Sequence, residues 1–354
     1  MKKIKILQLV IVSAILFFIA GCEKDKITSP FSAKTENNAK LLLFLEEEGD
    51  IINKIPLPMI EPYDVYNNLS NCLVIDLRDN PDYLKGHIGG AKNILKDSLF
   101  NYVKVNYLKF NKVVLVSASG QSAAYFSSLL HLAGFSNIYY MNYGMASWNM
   151  FFSAVWTDRI GKSEGAVFSN TFYPKNGYSP LPEINLNSSG ESMEDFVQTR
   201  ISNLIKEGFN EDYSSVYSKS TMIFSYWIDN KTQFYTVCVG PIMLYSSNPY
   251  TTNTYHPVGA VFYQIPPLPS DFRSVNYLQT LPSNGSIAIY SGTGQESAFY
   301  IAYLRLLGYD AKSILFGMNN IDYYMLSHSP EISPYAFNNS YIMNYPYFTE
   351  SNGK

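Results

Sequence analysis

Cysteine and histidine are scarce in this chain, with three cysteines and four histidines among 354 residues. They form no CxxC or HExxH cluster, so a disulfide scaffold is excluded, no metal site has a visible ligand set, and no cofactor is expected. Charge is also sparse. Lys and Arg number 26 against 29 Asp and Glu, a formal net charge of −3. Without a basic excess or stripe, a nucleic-acid partner is not expected, because phosphate contacts demand cationic side chains. No apolar run reaches the roughly 20 residues needed to cross a bilayer core. What the chain does carry is apolar and aromatic mass. Hydrophobic residues make up 47% and aromatic residues 16%, including 30 Tyr and 22 Phe. That content argues against disorder for most of the length and suggests two globular domains.

The N-terminus reads as an address. Met1 to Lys5 contains three lysines, Ile6 to Ala20 is an almost unbroken apolar run, and Ala20-Gly21-Cys22 precedes Glu23-Lys24-Asp25-Lys26. A basic start, a short apolar stretch and small residues at its end make a signal peptide rather than a membrane span. A cysteine directly after those small residues resembles the lipobox of bacterial lipoproteins. The resemblance implies that residues 1–21 are removed and that Cys22 is lipidated, anchoring the chain to a membrane of the bacterial cell envelope. Residues 22–39 then read as a flexible tether.

Beyond the tether, one plan occurs twice. Cys72-Leu73-Val74-Ile75-Asp76-Leu77-Arg78 reads as a buried strand, followed by the glycine-rich loop Gly86-His87-Ile88-Gly89-Gly90-Ala91. Lys112 to Val116 is a second buried strand that runs into Ser117-Ala118-Ser119-Gly120-Gln121-Ser122. A helical pattern then ends at Gly134, and Asn137 to Met141 gives another strand. The second series has Phe234 to Gly240, His256-Pro257-Val258-Gly259-Ala260-Val261, Ile287 to Tyr290 and Ser291-Gly292-Thr293-Gly294-Gln295-Glu296, then a helix and Lys312 to Phe316. Each series exits through Gly-Met, Gly144-Met145 and Gly317-Met318, at 27 and 26 residues from Ser117 and Ser291. Strands alternating with helices at such similar spacing indicate an internal duplication and parallel sheets.

These pieces resemble the rhodanese domain, the sulfurtransferase fold, over about residues 60–155 and, more divergently, 220–330. The resemblance implies an α/β fold of two domains, each a mostly parallel sheet with helices on both faces. Their expected bounds are 40–158 and 193–335, with a linker at 159–192 and a C-terminal tail at 336–354. It also implies where chemistry should sit. Active rhodaneses carry a cysteine as the first residue of the loop after the central strand, where it takes up sulfur as a persulfide. Ser117 and Ser291 hold that position here. A thiolate is the nucleophile in such transfers, and a hydroxyl oxygen neither ionises near neutrality nor carries a sulfane sulfur. The loop's sixth position, often arginine in the family, is Ser122 in one copy and Glu296 in the other. No catalytic residue is therefore expected.

The expected reading is a catalytically silent, membrane-anchored rhodanese-like module that binds a protein partner or a small anion. Ser117, Ala118, Ser119, Gly120, Gln121 and Ser122 are the binding candidates, because backbone N–H groups ahead of a helix form an anion nest. Asp76, Arg78 and His87 are expected to brace that side of the fold. The alternative is a sulfurtransferase using a non-standard thiol. Cys238, near a strand's carboxyl end, is the better stand-in, and a Cys72–Cys238 disulfide is possible. Hydrolysis through Ser117 is a weaker third option. Trp148, Phe151, Phe152 and Trp156 read as a helical packing stripe, and the Tyr- and Asn-rich stretches at 245–255 and 335–349 as exposed loops. Met193 to Phe209 reads as an amphipathic helix. The lipobox reading predicts that radiolabelled palmitate added to expressing bacteria is incorporated into the chain, and that Cys22→Ser abolishes the label.

Overall fold

The short β-branched runs form strands covered on both faces, and their pleat divides each run between two apolar layers. The structure, a computed structural model, describes residues 33–161, 168–185, 192–246 and 256–349. The expected leader, Cys22, the start of the tether, the polar stretch 187–191 and most of 245–255 lie outside the described residues. In the first half, β1 (Met59–Ile60), β2 (Cys72–Asp76), β3 (Lys92–Asn93), β4 (Lys112–Val116) and β5 (Ile138–Met141) form an all-parallel sheet. Its order is β1-β5-β4-β2-β3. The second half builds β6 (Thr221–Met222), β7 (Phe234–Val239), β8 (Val261–Tyr263), β9 (Ser286–Tyr290) and β10 (Asp310–Ile314). These are also all parallel, in the order β6-β10-β9-β7-β8. The two orders are the same once each strand is matched with its counterpart, as the repeated sequence plan requires.

Five longer helices cover the sheets: α1 (Ala33–Glu47), α2 (Lys96–Asn106), α3 (Gln121–Leu132), α4 (Met193–Glu207) and α5 (Gln295–Leu306). Leu73, Ile75, Val113 and Leu115 of the first sheet share one continuous apolar core with Val237, Val239, Ile287 and Ile289 of the second. The alternate residues point outward. Val74, Val114 and Val116 pack with Met145 and Trp148, while Cys238, Ala288 and Tyr290 pack with Met318 and Ile321. Period-two alternation thus assigns half of each strand to a core common to both halves.

The helices α3 and α5 lie along each other in that core, and the glutamine that opens each reaches across. Gln121 Oε1 accepts the Phe316 N–H at 2.8 Å, and Gln295 Oε1 accepts the Tyr143 N–H at 2.9 Å. Gln295 Nε2 also donates to Asn142 Oδ1 at 3.0 Å. Tyr143 and Phe316 both have positive φ, 57° and 64°, so the glutamines satisfy two buried N–H groups that no strand ladder takes up.

Sequence expectations fail at three places. The tether becomes helix at Ala33, and α1 ties into the second half: Asn38 Nδ2 donates to Leu307 O at 2.6 Å, and Glu46 accepts from the N–H and hydroxyl of Ser274. The aromatic stripe is not one helix. Three single turns, Met145–Trp148, Met150–Phe152 and Ala154–Thr157, replace it, because Asn149 is extended at φ −153°. Trp148 and Trp156 are buried, whereas Phe151 is 58% exposed. Finally, residues 342–349 are a strap across the first half rather than a free loop. Phe348 and His87 exchange both backbone hydrogen bonds at 2.9 Å, and Tyr345 N–H donates to Trp148 O. The rings of Tyr347 and Phe348 fill the space left by Gly86 and Gly89, where a Cβ would approach them to 2.6 Å.

The glutamine clasp yields a stability prediction. Gln295→Ala strands the Tyr143 N–H and Asn142 Oδ1 away from water, so it should cost about 1–3 kcal/mol in urea unfolding. A loss under about 0.5 kcal/mol, the scale of an ordinary surface change, would show that water replaces the amide.

Candidate functional site

Both strand-to-helix loops are built by their own hydroxyls. In the first, Ser117 Oγ accepts the Gly120 N–H at 3.0 Å and Ser119 Oγ accepts the Gln121 N–H at 3.3 Å, which uses two of the donors left unpaired at the start of α3. In the second, Ser291 Oγ accepts the Gly294 N–H at 2.9 Å and Thr293 Oγ1 accepts the Gln295 N–H at 3.1 Å. Gly120 and Gly294 supply the left-handed turn, with φ 85° and 80°. The Gly-Met exits have a physical meaning as well. Met145 N–H donates to Ser117 O and Met318 N–H to Ser291 O, each at 2.9 Å. A Cβ on Gly144 or Gly317 would strike those same carbonyls.

The six candidate residues Ser117 to Ser122 do gather into one cradle, and a carboxylate sits in it. Glu211 Oε1 accepts the N–H groups of Ala118 at 2.8 Å and Ser119 at 3.4 Å. Its Oε2 accepts the hydroxyls of Ser119 at 2.7 Å and Ser117 at 3.1 Å, together with the Ser122 N–H at 3.1 Å. The second loop has the same arrangement with its own acid. Glu296 Oε2 accepts the hydroxyls of Ser291 and Thr293, each at 2.8 Å, and the Thr293 N–H at 3.4 Å. Glu211 lies 94 residues beyond Ser117 in an unremarkable Asn-Glu-Asp stretch. Neither spacing nor a motif marks it, so sequence reasoning missed it.

Asp76 and Arg78 form a buried ion pair beside the first cradle, with Arg78 Nη2 2.6 Å from Asp76 Oδ2 and 2.7 Å from Gly86 O. The pair therefore fixes the Gly86 loop to the end of β2. His87 stacks on Tyr83 and its Nδ1 lies 3.0 Å from Tyr83 O. His256 repeats this on Tyr245, with Nδ1 2.8 Å from the Tyr245 carbonyl. A cavity of about 370 Å³ opens next to the cradle, lined by Arg78, Lys85, Ala118, Met145, Phe151 and Phe152. Among the described residues no group of three or more His, Cys, Asp or Glu is arranged to hold a metal ion.

The described thiols lie on strands, Cys72 at the start of β2 and Cys238 opposite Tyr290, the residue before the second loop. Cys72 and Cys238 are both free and buried, which corrects the possible disulfide: they occupy the separate outer layers of two different sheets. Burial pushes the Cys238 thiol up to about 12, with the Tyr290 hydroxyl as its polar neighbour, and burial raises Cys72 as well. Neither therefore has thiolate character near neutral pH. Iodoacetamide at pH 8 should leave Cys238 unmodified in the folded chain and alkylate it fully in 6 M guanidinium, read by peptide mass spectrometry. Rapid native labelling would show an accessible thiol.

The profile of the Rhodanese-like domain family matches residues 61–151. The uncharacterized protein YibN of Escherichia coli strain K12 is 31% identical over 83 residues, 23% of this chain and 58% of that protein, so the chain spans little more than half of its length. The thiosulfate sulfurtransferase GlpE of Pseudomonas fluorescens is 28% identical over 82 residues, 23% of this chain and 74% of that enzyme. A crystal structure of a rhodanese-related protein from Thermoplasma volcanium is 27% identical, covering 25% of this chain and 88% of its own, with a TM-score of 0.24. Residues 61–151, the segment that contains β2, β4, α3 and the Ser117 cradle, are a rhodanese-like domain.

Proposed function

We propose that this chain is a tandem rhodanese-like lipoprotein of the bacterial cell envelope that does not transfer sulfur and serves as a binding module. One observation carries the reading: at both loops a serine stands where the family places its cysteine, and a carboxylate sits against it. The hydroxyl oxygen has no means of bearing a sulfane sulfur. The seated carboxylate opposes an anionic donor such as thiosulfate, because like charges at hydrogen-bond distance repel strongly in a partly desolvated site. The matching sheet orders and the paired Gly-Met exits support the tandem reading.

The competing thiol route has little support, since Cys238 is fully buried on the outer face of its sheet, even though it pairs in register with Tyr290, the residue before the second loop. Ser117-dependent hydrolysis gains a nearby base in Glu211, yet Ser117 is 1% exposed and its oxygen is already the acceptor that closes the loop. A water-soluble form beginning after Cys22, incubated with thiosulfate and cyanide, should release no thiocyanate above the blank. It should also gain no stable mass of about 32 Da, the increment of one sulfur added to a thiol as a persulfide. Turnover that disappears in Cys238→Ala would overturn the reading in favour of the thiol route.

A further inference from the structure

We infer that the Ser117–Ser122 loop is a working receptor for small oxyanions and that Glu211 is its built-in occupant, a side chain of the same molecule that excludes free anions. The inference rests on reading this loop as a binding element rather than a catalytic one. Five donors converge on the Glu211 carboxylate: three backbone N–H groups and two serine hydroxyls, at 2.7 to 3.4 Å. None of them is a charged side chain. The attraction comes from oriented backbone dipoles at the start of α3, which respond to the charge of an oxyanion and not to the chain that carries it. The hydroxyls that complete the cradle are also held by the loop itself, since Ser117 Oγ accepts the Gly120 N–H and Ser119 Oγ accepts the Gln121 N–H, contacts that do not involve the occupant.

Comparison of the two loops separates an occupant that can be exchanged from one that is sealed in. In the second loop the acid belongs to the loop itself, and Glu296 is 8% exposed. The ring of Tyr335 lies where a side chain on Gly292 would be, and Asn319 Nδ2 donates to both Gly292 O and Tyr335 O. These contacts cover the Gly292 side of the second loop. In the first loop the acid comes from an irregular segment between α4 and β6, Glu211 is only partly buried, and the 370 Å³ cavity with Arg78 and Lys85 borders Ala118.

Glu211 is also held in place independently of the cradle. On one side Phe209 is buried against Tyr125. On the other, the Tyr213 hydroxyl donates to Asn320 Oδ1 at 3.0 Å, and Arg159 lies 4.1 Å over the Tyr213 ring. These two anchors present the carboxylate to the cradle at a high effective concentration, on the order of millimolar or more. A free anion must exceed that level to compete. The same anchors should keep the segment folded when the carboxylate is removed.

The test is a titration of the water-soluble chain with sodium sulfate and, separately, sodium acetate at constant ionic strength, followed by the amide resonances of Ala118, Ser119 and Ser122. In the unmodified chain these resonances should not move at low millimolar anion. In Glu211→Ala they should shift and saturate, with an apparent affinity for sulfate at least about tenfold higher, the scale expected when a tethered competitor is removed. Glu211→Gln removes the charge while keeping an acceptor and should lie between the two, which provides a readout even if the alanine variant folds poorly. Equal affinity in all three proteins would overturn the inference, as would folded variants that show no saturable shift. Thiocyanate formation by the unmodified chain would instead remove the silent-module reading, whatever the sulfate titration gives.

Discussion

The structure depends on how buried backbone donors are satisfied at two tight loops. Each loop turns a central strand into a helix in a largely buried setting, so its N–H groups find acceptors within the protein. Serine and threonine hydroxyls take the first of them, a glutamate takes those pointing outward, and a glutamine from the opposite half takes the N–H of the positive-φ residue before each Gly-Met exit. Because that last acceptor comes from the other copy, the loop of neither half is complete by itself. The shared apolar core and the polar seam therefore reinforce each other: α3 and α5 must lie side by side for the glutamines to reach.

The two halves share most of this arrangement and depart from it in one respect. The two halves keep the strand order, the left-handed glycine, the crossing glutamine, the glycine against the serine carbonyl and the histidine stacked over a tyrosine. They differ in where the acid originates. One copy carries it at the loop's sixth position, and the other receives it from a segment between α4 and β6. Two routes to one arrangement suggest that the constraint is electrostatic. A cluster of converging N–H and O–H donors, partly removed from water, is unfavourable unless an anion or another strong acceptor meets it.

Among the described residues, the cysteines and the loop hydroxyls occupy different places in this geometry. The buried cysteines stand on the outer layers of the sheets, where burial holds the thiols protonated, while the positions at the loops hold hydroxyls already committed as acceptors. Arg78 is likewise committed, to Asp76 and to the Gly86 carbonyl, so it braces the fold beside the first cradle.

The sequence by itself determined the α/β class, the two parallel-sheet series, the loop residues Ser117 to Ser122 and the Gly-Met exits, because periodicity and glycine placement are local properties of the chain. It also gave α4, whose apolar face is legible from Phe196, Ile201 and Ile205. It did not reveal that α1 begins inside the expected tether, that residues 342–349 return across the first half, or that Glu211 fills the cradle. Each of those outcomes joins residues separated by roughly ninety positions or more, and only packing decides whether such groups meet. A lone glutamate in a polar stretch has the same local pattern whether it faces solvent or receives five hydrogen bonds. The tertiary structure decides between those two, because it alone brings the donors to the acid.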